Sequence, residues 1–463
     1  MRVARPDPRL LLALAWLAGF TLIDSNIVSL ALPDIARAFD RPIGALAWVS
    51  TIYLLALAAM LLPAGRLNDR YGSRRTLGVG AAAFLLTTAL AGVAPSFELL
   101  VLARFLQGVA GGILYTVSLA ITVTAFPPER RAGAIGIYFT SGALGAVIGP
   151  AVGGVLTDLG GWRLVFLAQL PLPLLVTIGA FALLPRRAHV TISAPIDLAG
   201  IVAASVFIAA ATLALLELAL PGLLLAALVT GVVAVAALAL FVRVERRTTA
   251  PAVPLGIFGN ARFVIGAVAG AGAWFAITSS TIYPALYLQF GRGLTATDAG
   301  LLLLASPIVS LLLFPFAGRI VAALTVDRAL LVGLLLLVGS GAAMVAWGAA
   351  TPLWFVVATN LVVGGGLAIT LVASAADALS QFTPAEAGTG SALFNSIRQL
   401  GAATGVAVPA IAFELVAAGS RTAEASLAGS TAAFAVRLAF LVVPLALVVA
   451  RLRPIRARAG AAA

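Results

Sequence analysis

Apolar runs separated by short polar turns recur along the whole chain. A helix needs roughly 20 apolar residues to cross a hydrocarbon core. Runs of that size lie near 10–32, 46–64, 76–94, 99–124, 134–157, 163–184, 197–218, 222–242, 262–288, 297–317, 329–349, 353–376, 389–413 and 432–450. The pattern predicts an all-α integral membrane protein with 14 transmembrane helices, and the even number puts both ends on one side. The first run follows Arg2, Arg5 and Arg9, as in a signal peptide. Its length, its lack of a clear cleavage site and the many later runs favour a first membrane helix.

The runs near 197–218 and 222–242 are joined only by the short turn Leu220 to Gly222. They separate six spans from six, an arrangement of 6 + 2 + 6. The expected organisation is an N-terminal six-helix bundle over 1–190, a two-helix linker over 191–250 and a C-terminal six-helix bundle over 251–463. An internal repeat agrees: Ala64 to Gly80 aligns without gaps to Ala317 to Gly333, with 7 of 17 positions identical at a constant offset of 253. Both copies follow the second span of their block, and duplicated blocks are one transporter plan.

Composition narrows the function. Hydrophobic residues make up 62% of the chain and charged ones 10%, whereas a soluble domain is about half apolar and a quarter charged. There is no cysteine and no lysine; all 29 basic residues are arginine. Thiolate metal sites, cysteine nucleophiles, Schiff-base chemistry and the phosphate-loop lysine are thereby excluded. The single histidine, His189, lies in a polar connector, so neither a metal site nor a cofactor is expected. The net charge of +12 could point to nucleic acid, but the arginines are not spread evenly. With the N-terminus inside, 21 fall on inner segments and 6 on outer ones, a strong positive-inside signal. The charge then faces the anionic leaflet of a membrane, and no nucleic-acid partner is expected. Trp48, Trp162, Trp347 and Trp354 fall at outer helix ends, where an interfacial aromatic belt would put them.

Four stretches carry candidate chemistry. Asp24 lies inside the first run, where an acid costs roughly 2.5–3.5 kcal/mol on insertion scales. At 1.5 Å per residue it is about 12 Å below the outer end, and Arg104 in the fourth run is about 9 Å down. The two charges thus sit at similar depth, where pairing would lower the cost of burying each. Burial favours a neutral carboxyl and a nearby arginine a charged one, so an acid between those influences can load and release a proton. The alternative is a polar residue that only packs helices. The second stretch is the loop Gly65 to Arg75, in which Gly65 and Gly72 allow a tight turn and Asp69 is an isolated acid among Arg74, Arg75 and their neighbours. It is either an ordinary inner loop or a place where Asp69 accepts hydrogen bonds from the orphan N–H groups of a neighbouring helix. Third, Gly145, Gly149 and Gly153 repeat every four residues beside Pro150, which favours close helix approach and a bend. Fourth, Asn395, Arg398 and Gln399 cluster in a span and point to a wet cavity, while Trp274, Phe275, Tyr283 and Tyr287 supply aromatic surface that is either packing or ligand contact.

Together these stretches resemble the major facilitator superfamily, and within it the fourteen-span drug:proton antiporters. Gly65, Leu67, Asp69, Gly72, Arg74 and Arg75 match the family's loop signature G-x-L-x-D-x-x-G-x-R-R. Arg104, Gln107 and Gly108 resemble the fourth-span motif, and Gly145, Gly149, Pro150, Gly153 and Gly154 the antiporter motif of the fifth span. Asp24, Ile27, Val28, Ala31, Leu32 and Pro33 match the first-span motif, with Asn26 in place of its usual threonine. The resemblance implies alternating access driven by a proton gradient. It implies proton coupling at Asp24 and Arg104, and a conformational latch at Gly65, Asp69, Gly72, Arg74 and Arg75 working with the glycine–proline span. The second copy of the loop carries Ala322 in place of Asp69, so no symmetric latch is expected.

The expected function is proton-coupled export of amphipathic small molecules. Asn26, Gln107, Trp274, Tyr283, Asn395, Arg398 and Gln399 are the candidate substrate path. The alternatives are a dedicated carrier of one metabolite, such as a sugar or amino acid, and a non-transporting receptor; an enzyme is not expected. The expected setting is a bacterial cytoplasmic membrane with both termini cytoplasmic, and the expected state is a monomer.

Overall fold

The computed structural model describes residues 7–40, 43–184, 197–218, 222–248, 251, 253–417, 420 and 422–460, with some side chains inside the helices left out. His189 lies outside them, as do the side chains of Trp48, Asn26 and Pro150. The helices are α1 (Pro8–Phe39), α2 (Ile43–Tyr71), α3 (Ser73–Gly92), α4 (Phe97–Ala125), α5 (Pro128–Leu167), α6 (Pro171–Leu183), α7 (Leu198–Leu218), α8 (Leu224–Glu245), α9 (Ala261–Leu286), α10 (Ala296–Leu303), α11 (Ala305–Leu324), α12 (Val326–Val345), α13 (Leu353–Leu379), α14 (Ala387–Ala417) and α15 (Ala423–Gly460).

Among the described residues, twelve helical stretches are long and apolar enough to cross a membrane. These twelve do not by themselves give the expected fourteen spans or their 6 + 2 + 6 arrangement. The runs near 134–157 and 163–184 are divided by a break inside α5, where Gly160 (φ −155°, ψ 20°) and Gly161 (φ 69°, ψ −177°) are non-helical; the apolar stretch Val152–Leu183 crosses that break and includes α6. The first run gives only the short apolar helix Pro8–Thr21 among the described residues, within the longer α1. Large apolar side chains stand exposed along the helices, for example Leu86, Leu225, Val232, Val235 and Leu312. Such a surface suits lipid as solvent.

The chain divides into two compact units. One comprises Met1–Ala210, Val233–Leu255 and Phe382–Ser396, the other Ala211–Val232, Gly256–Gln381 and Ile397–Ala463. The helix pair α7 and α8 is therefore shared between the units, and the first turns of α14 group with the first unit.

Lipid tails are as apolar as leucine, so helices gain little by burying leucine against leucine; close backbone approach at small residues holds them instead. In the first unit α1 packs on α5 and α2 on α4. A Cβ on Gly153 would lie 2.6 Å from the Ile27 carbonyl oxygen, and one on Gly145 would collide with the Ile23 side chain. A Cβ on Gly112 would lie 2.7 Å from the Leu57 carbonyl oxygen, and Gly108 sits in the same way on Tyr53. The second unit repeats the scheme: α11 packs on α13 through Gly364 against Ser306, and α9 meets α14 through Gly401 against Ala271.

The sequence repeat is also a repeat of backbone. Gly72 joins α2 to α3 at φ 83°, ψ 149°, and Thr325 joins α11 to α12 at φ 70°, ψ 155°. Glycine reaches this region without penalty, whereas a β-branched residue does not. The aromatic belt is only partly observed. Trp354 is exposed, but Trp162 and Trp347 are buried, packing on Phe39 and Phe166 and on Tyr287 and Phe434 respectively. Thr325→Gly is expected to raise stability by about 1 kcal/mol through release of this strain. The midpoint of thermal unfolding in detergent should rise, and an unchanged or lower midpoint would contradict the assignment.

Candidate functional site

In the first unit one fully buried cluster draws on five helices. Asp24 comes from α1, Val49 and Tyr53 from α2, Thr88 from α3, Arg104 and Gln107 from α4, and Phe166 from the end of α5. The Arg104 guanidinium donates through Nη1 to Asp24 Oδ2 as an ion pair. It also donates to Gln107 Oε1 at 2.7 Å and, through Nε, to the Val49 carbonyl at 3.0 Å. Gln107 Nε2 donates to Asp24 Oδ1 at 3.1 Å and to Thr88 Oγ1 at 2.8 Å, and the Thr88 hydroxyl donates on to the Phe84 carbonyl. Tyr53 lies with its ring 4.3 Å from the guanidinium carbon and anchors α1 by donating its hydroxyl to the Thr21 carbonyl at 2.7 Å.

Both Asp24 oxygens are therefore occupied as acceptors, which is the state of a carboxylate. A protonated Asp24 could keep at most one of these bonds as drawn and would leave Arg104 without its counter-charge. Gly145 and Gly153 press α5 onto Ile23 and Ile27, the residues flanking Asp24 on its helix, and Gly149 is buried between them.

At the other end of the same unit, Asp69 near the end of α2 accepts from the Gly388 and Thr389 amides, each at 2.8 Å, and from the Thr389 hydroxyl at 2.7 Å. These amides belong to the first turn of α14, whose N–H groups have no partner within the helix and whose dipole favours an anion. Gly65 makes the approach possible, since its Cβ would stand 2.5 Å from the Gly388 carbonyl oxygen. Arg74 reaches the last turn of α6, donating to the Phe181 carbonyl at 2.8 Å and to the Leu184 carbonyl, with the Phe181 ring beneath it. Arg75 is exposed.

The nominated path residues are less uniform. In the second unit the Arg398 guanidinium lies 4.8 Å from the Trp274 ring centre, a cation–π contact of a buried arginine. Trp274 Nε1 has no hydrogen-bond partner. Tyr283 donates its hydroxyl to the Val406 carbonyl, so it is tied to the backbone of α14. Asn395 is buried and Gln399 half-buried on α14. A groove of about 580 Å³ in the second unit is lined by Leu294, Leu301, Ile308, Leu353 and Val357 with Asp298, and holds none of the nominated residues.

The sequence reading missed Thr88, Tyr53 and the α14 amides. Single hydroxyls in apolar runs carry no signal until the fold brings an amide to them, and backbone donors are invisible in any sequence. It also missed a second inner tie: Arg451 of α15 pairs with Asp377 of α13 and Asp327 of α12. Asp327 occupies the repeat position of Arg74, so the charge there is reversed, while the position of Asp69 holds the neutral Ala322.

A family model described as "Major Facilitator Superfamily" matches residues 14–406. The chain belongs to the Major Facilitator Superfamily. It is 32% identical over 425 residues to the tetracenomycin C resistance and export protein of Streptomyces glaucescens, covering 87% of this chain and 75% of that protein. It is 33% identical over 425 residues to the lincomycin resistance protein of Streptomyces lincolnensis, covering 86% and 82%. It is 30% identical over 388 residues to the multidrug resistance protein Stp of Mycobacterium tuberculosis, covering 83% and 72%. Among solved structures it shares the fold of the human organic anion transporter MFSD10, with a TM-score of 0.66 at 17% identity over 97% of this chain and 100% of that one. As a member of this superfamily it is a multi-pass membrane transporter of small molecules.

Removing one partner of a buried ion pair costs roughly 3–5 kcal/mol, because the other charge stays uncompensated. Arg104→Leu should therefore sharply lower the yield of folded protein in detergent chromatography, and the added change Asp24→Asn should recover much of it. Recovery absent in the double variant would contradict the pairing. Asp69→Ala leaves the Gly388 and Thr389 amides without their acceptor, at about 1–3 kcal/mol for buried donors. Deuterium uptake at the start of α14 should rise in that variant, while uptake in α13 stays unchanged.

Proposed function

We propose that this transporter exports amphipathic small molecules, drugs or antibiotics among them, in exchange for protons. The observation that carries the proposal is the carboxylate of Asp24, enclosed at 0% exposure with both oxygens engaged by Arg104 and Gln107. An intramembrane acid with one arginine partner is costly to keep unless it is used. The names of the relatives, which speak of antibiotic resistance and export, support the substrate class.

In the proposed cycle a proton entering at Asp24 neutralises the carboxylate and frees Arg104. α1 and α4 then lose their charged link and re-pack, and deprotonation restores it. The Asp69 contact with the first turn of α14 acts as the latch that must open for the opposite access state. Gly65, Gly72, Arg74 and Arg75 shape that latch, Gly145, Gly149 and Gly153 give α5 the smooth face along which α1 shifts, and Pro150 belongs to the same proposed switch. Asn26, Gln107, Trp274, Tyr283, Asn395, Arg398 and Gln399 remain the proposed substrate path. Tyr283, whose hydroxyl is held by the backbone, contributes ring surface there rather than a hydrogen bond.

The proposal includes fourteen membrane crossings. Two features support it: α1 has 32 residues, more than the roughly 20 a crossing needs, and the non-helical backbone at Gly160 and Gly161 divides α5 between two of the expected runs. It includes a bacterial cytoplasmic membrane with both termini inside, supported by the arginine asymmetry, a monomeric state, and the proton gradient with no cofactor as the energy source.

The test uses everted vesicles with an acid lumen and a panel of lipophilic cations, weak bases and neutral antibiotics. Wild-type protein should release lumenal protons on addition of a substrate, and Asp24→Asn, compared at equal amounts of folded protein in the membrane, should not. Gradient-driven transport at the wild-type rate in Asp24→Asn would remove Asp24 from the coupling step.

A further inference from the structure

The apolar run near 297–317 is broken in its upper part. Pro307 has no N–H to offer the Leu303 carbonyl, and its ring presses on that carbonyl. The helix therefore stops, with α10 ending at Leu303 and α11 starting at Ala305. The groove of about 580 Å³ lies at this break. Leu301, Leu304 and Ile308 line it from one side at helical spacing, and Leu353 and Val357, one turn apart at the start of α13, line it from the other. The first side continues past the groove as Leu312 and Phe316, which with Leu301 and Ile308 form an exposed apolar stripe. A stripe of this size marks a surface that contacts hydrocarbon.

The mouth of the groove is charged. Asp298, in the first turn of α10, lines it and is exposed. Its Oδ2 accepts from the Thr295 hydroxyl at 2.7 Å, and among the described residues it has no ion pair. Arg292 stands at the same mouth, two residues before the lining Leu294. It donates through Nη1 to the Tyr287 hydroxyl at 3.1 Å and to the Thr351 carbonyl at 2.6 Å, two residues before Leu353. Both acceptors are neutral, and Arg292 has no ion pair among the described residues. One acid and one arginine thus flank an apolar opening without pairing with each other. Trp354, beside Leu353, is 69% exposed, as suits a tryptophan at headgroup level. Ile308 is ten residues beyond Asp298, about 15 Å along the helix axis. That is about half of a hydrocarbon core roughly 30 Å thick, the depth of one leaflet.

We propose that this groove is a binding site for one membrane phospholipid with a zwitterionic amine headgroup, of the phosphatidylethanolamine type. An acyl chain fills the groove between α10–α11 and α13. The primary ammonium donates to the Asp298 carboxylate, and the phosphate accepts from Arg292. The two charges at the mouth are then each matched by a charge of opposite sign on one molecule. A purely anionic lipid would leave Asp298 facing a like charge, and a quaternary amine has no N–H to donate to it. The site does not involve Asp24, and its test measures binding without transport.

The full-length chain is purified in mild detergent until free of phospholipid. Dioleoyl phosphatidylethanolamine is then added, and in parallel phosphatidylcholine or phosphatidylglycerol with the same chains. The unfolding midpoint of wild-type protein should rise and saturate with phosphatidylethanolamine, as mass action requires for a ligand of the folded state. Half-saturation should need about three-fold more of either other lipid, the size expected of an exposed charge pair. Asp298→Asn, which keeps the side-chain shape, should erase that preference for phosphatidylethanolamine over phosphatidylcholine. Ala305→Phe, which puts a ring into the groove, should abolish the saturable rise. An equal or stronger response to phosphatidylglycerol, or an undiminished preference in Asp298→Asn, overturns the site. A saturable response to dodecylammonium with none to any phospholipid assigns the groove to a carried molecule and also overturns it. If Asp298→Asn does not fold, an unchanged response in Ala305→Phe overturns it.

Discussion

The ion pair of Asp24 with Arg104 ties the first unit together where the hydrophobic effect cannot. Inside a bilayer leucine gains little by leaving lipid, so helix positions are set by backbone contact and by the few polar groups that cannot face hydrocarbon. Asp24, Arg104, Gln107 and Thr88 form one continuous set of donors and acceptors across α1, α3 and α4, and the Val49 carbonyl brings in α2. The glycines of α4 and α5 then bring the backbones close enough for those short side chains to meet. Either device alone would leave the cluster open to lipid or the helices free to slide.

Charge placement in the two units follows one rule with different solutions. The first unit neutralises its deep arginine with an acid from a neighbouring helix, and accommodates Asp69 on the amides of a helix start. The second unit places its acid pair, Asp327 and Asp377, around Arg451 and leaves Arg437 on neutral oxygens. The backbone between α11 and α12 reproduces that between α2 and α3 even though Thr325 has replaced the glycine that suits it. The two copies therefore share backbone geometry and differ in chemistry.

Much of this was legible beforehand. Apolar run length located the helices, and the expense of an acid in lipid singled out Asp24 and predicted a partner at the depth of Arg104. The four-residue glycine spacing identified the face α5 turns to α1. Other features were hidden for physical reasons. An apolar run does not reveal its breaks: α6 starts only after Leu167, and Leu304 separates α10 from α11. The Asp69 contact involves backbone amides more than 300 residues away in sequence, and only the loop's isolated acid hinted at it.

The two inner ties differ in how they can be lost. Arg74 binds main-chain carbonyls of α6, which every amino acid supplies, so no substitution at Phe181 or Leu184 removes its acceptors. Arg451 depends on two particular carboxylates on two other helices. The first tie therefore has a single vulnerable position and the second has three. Random substitution should accumulate freely at the end of α6 while being purged at Asp327, Asp377 and Arg451, so the two copies of the loop are held to unequal mutational tolerance.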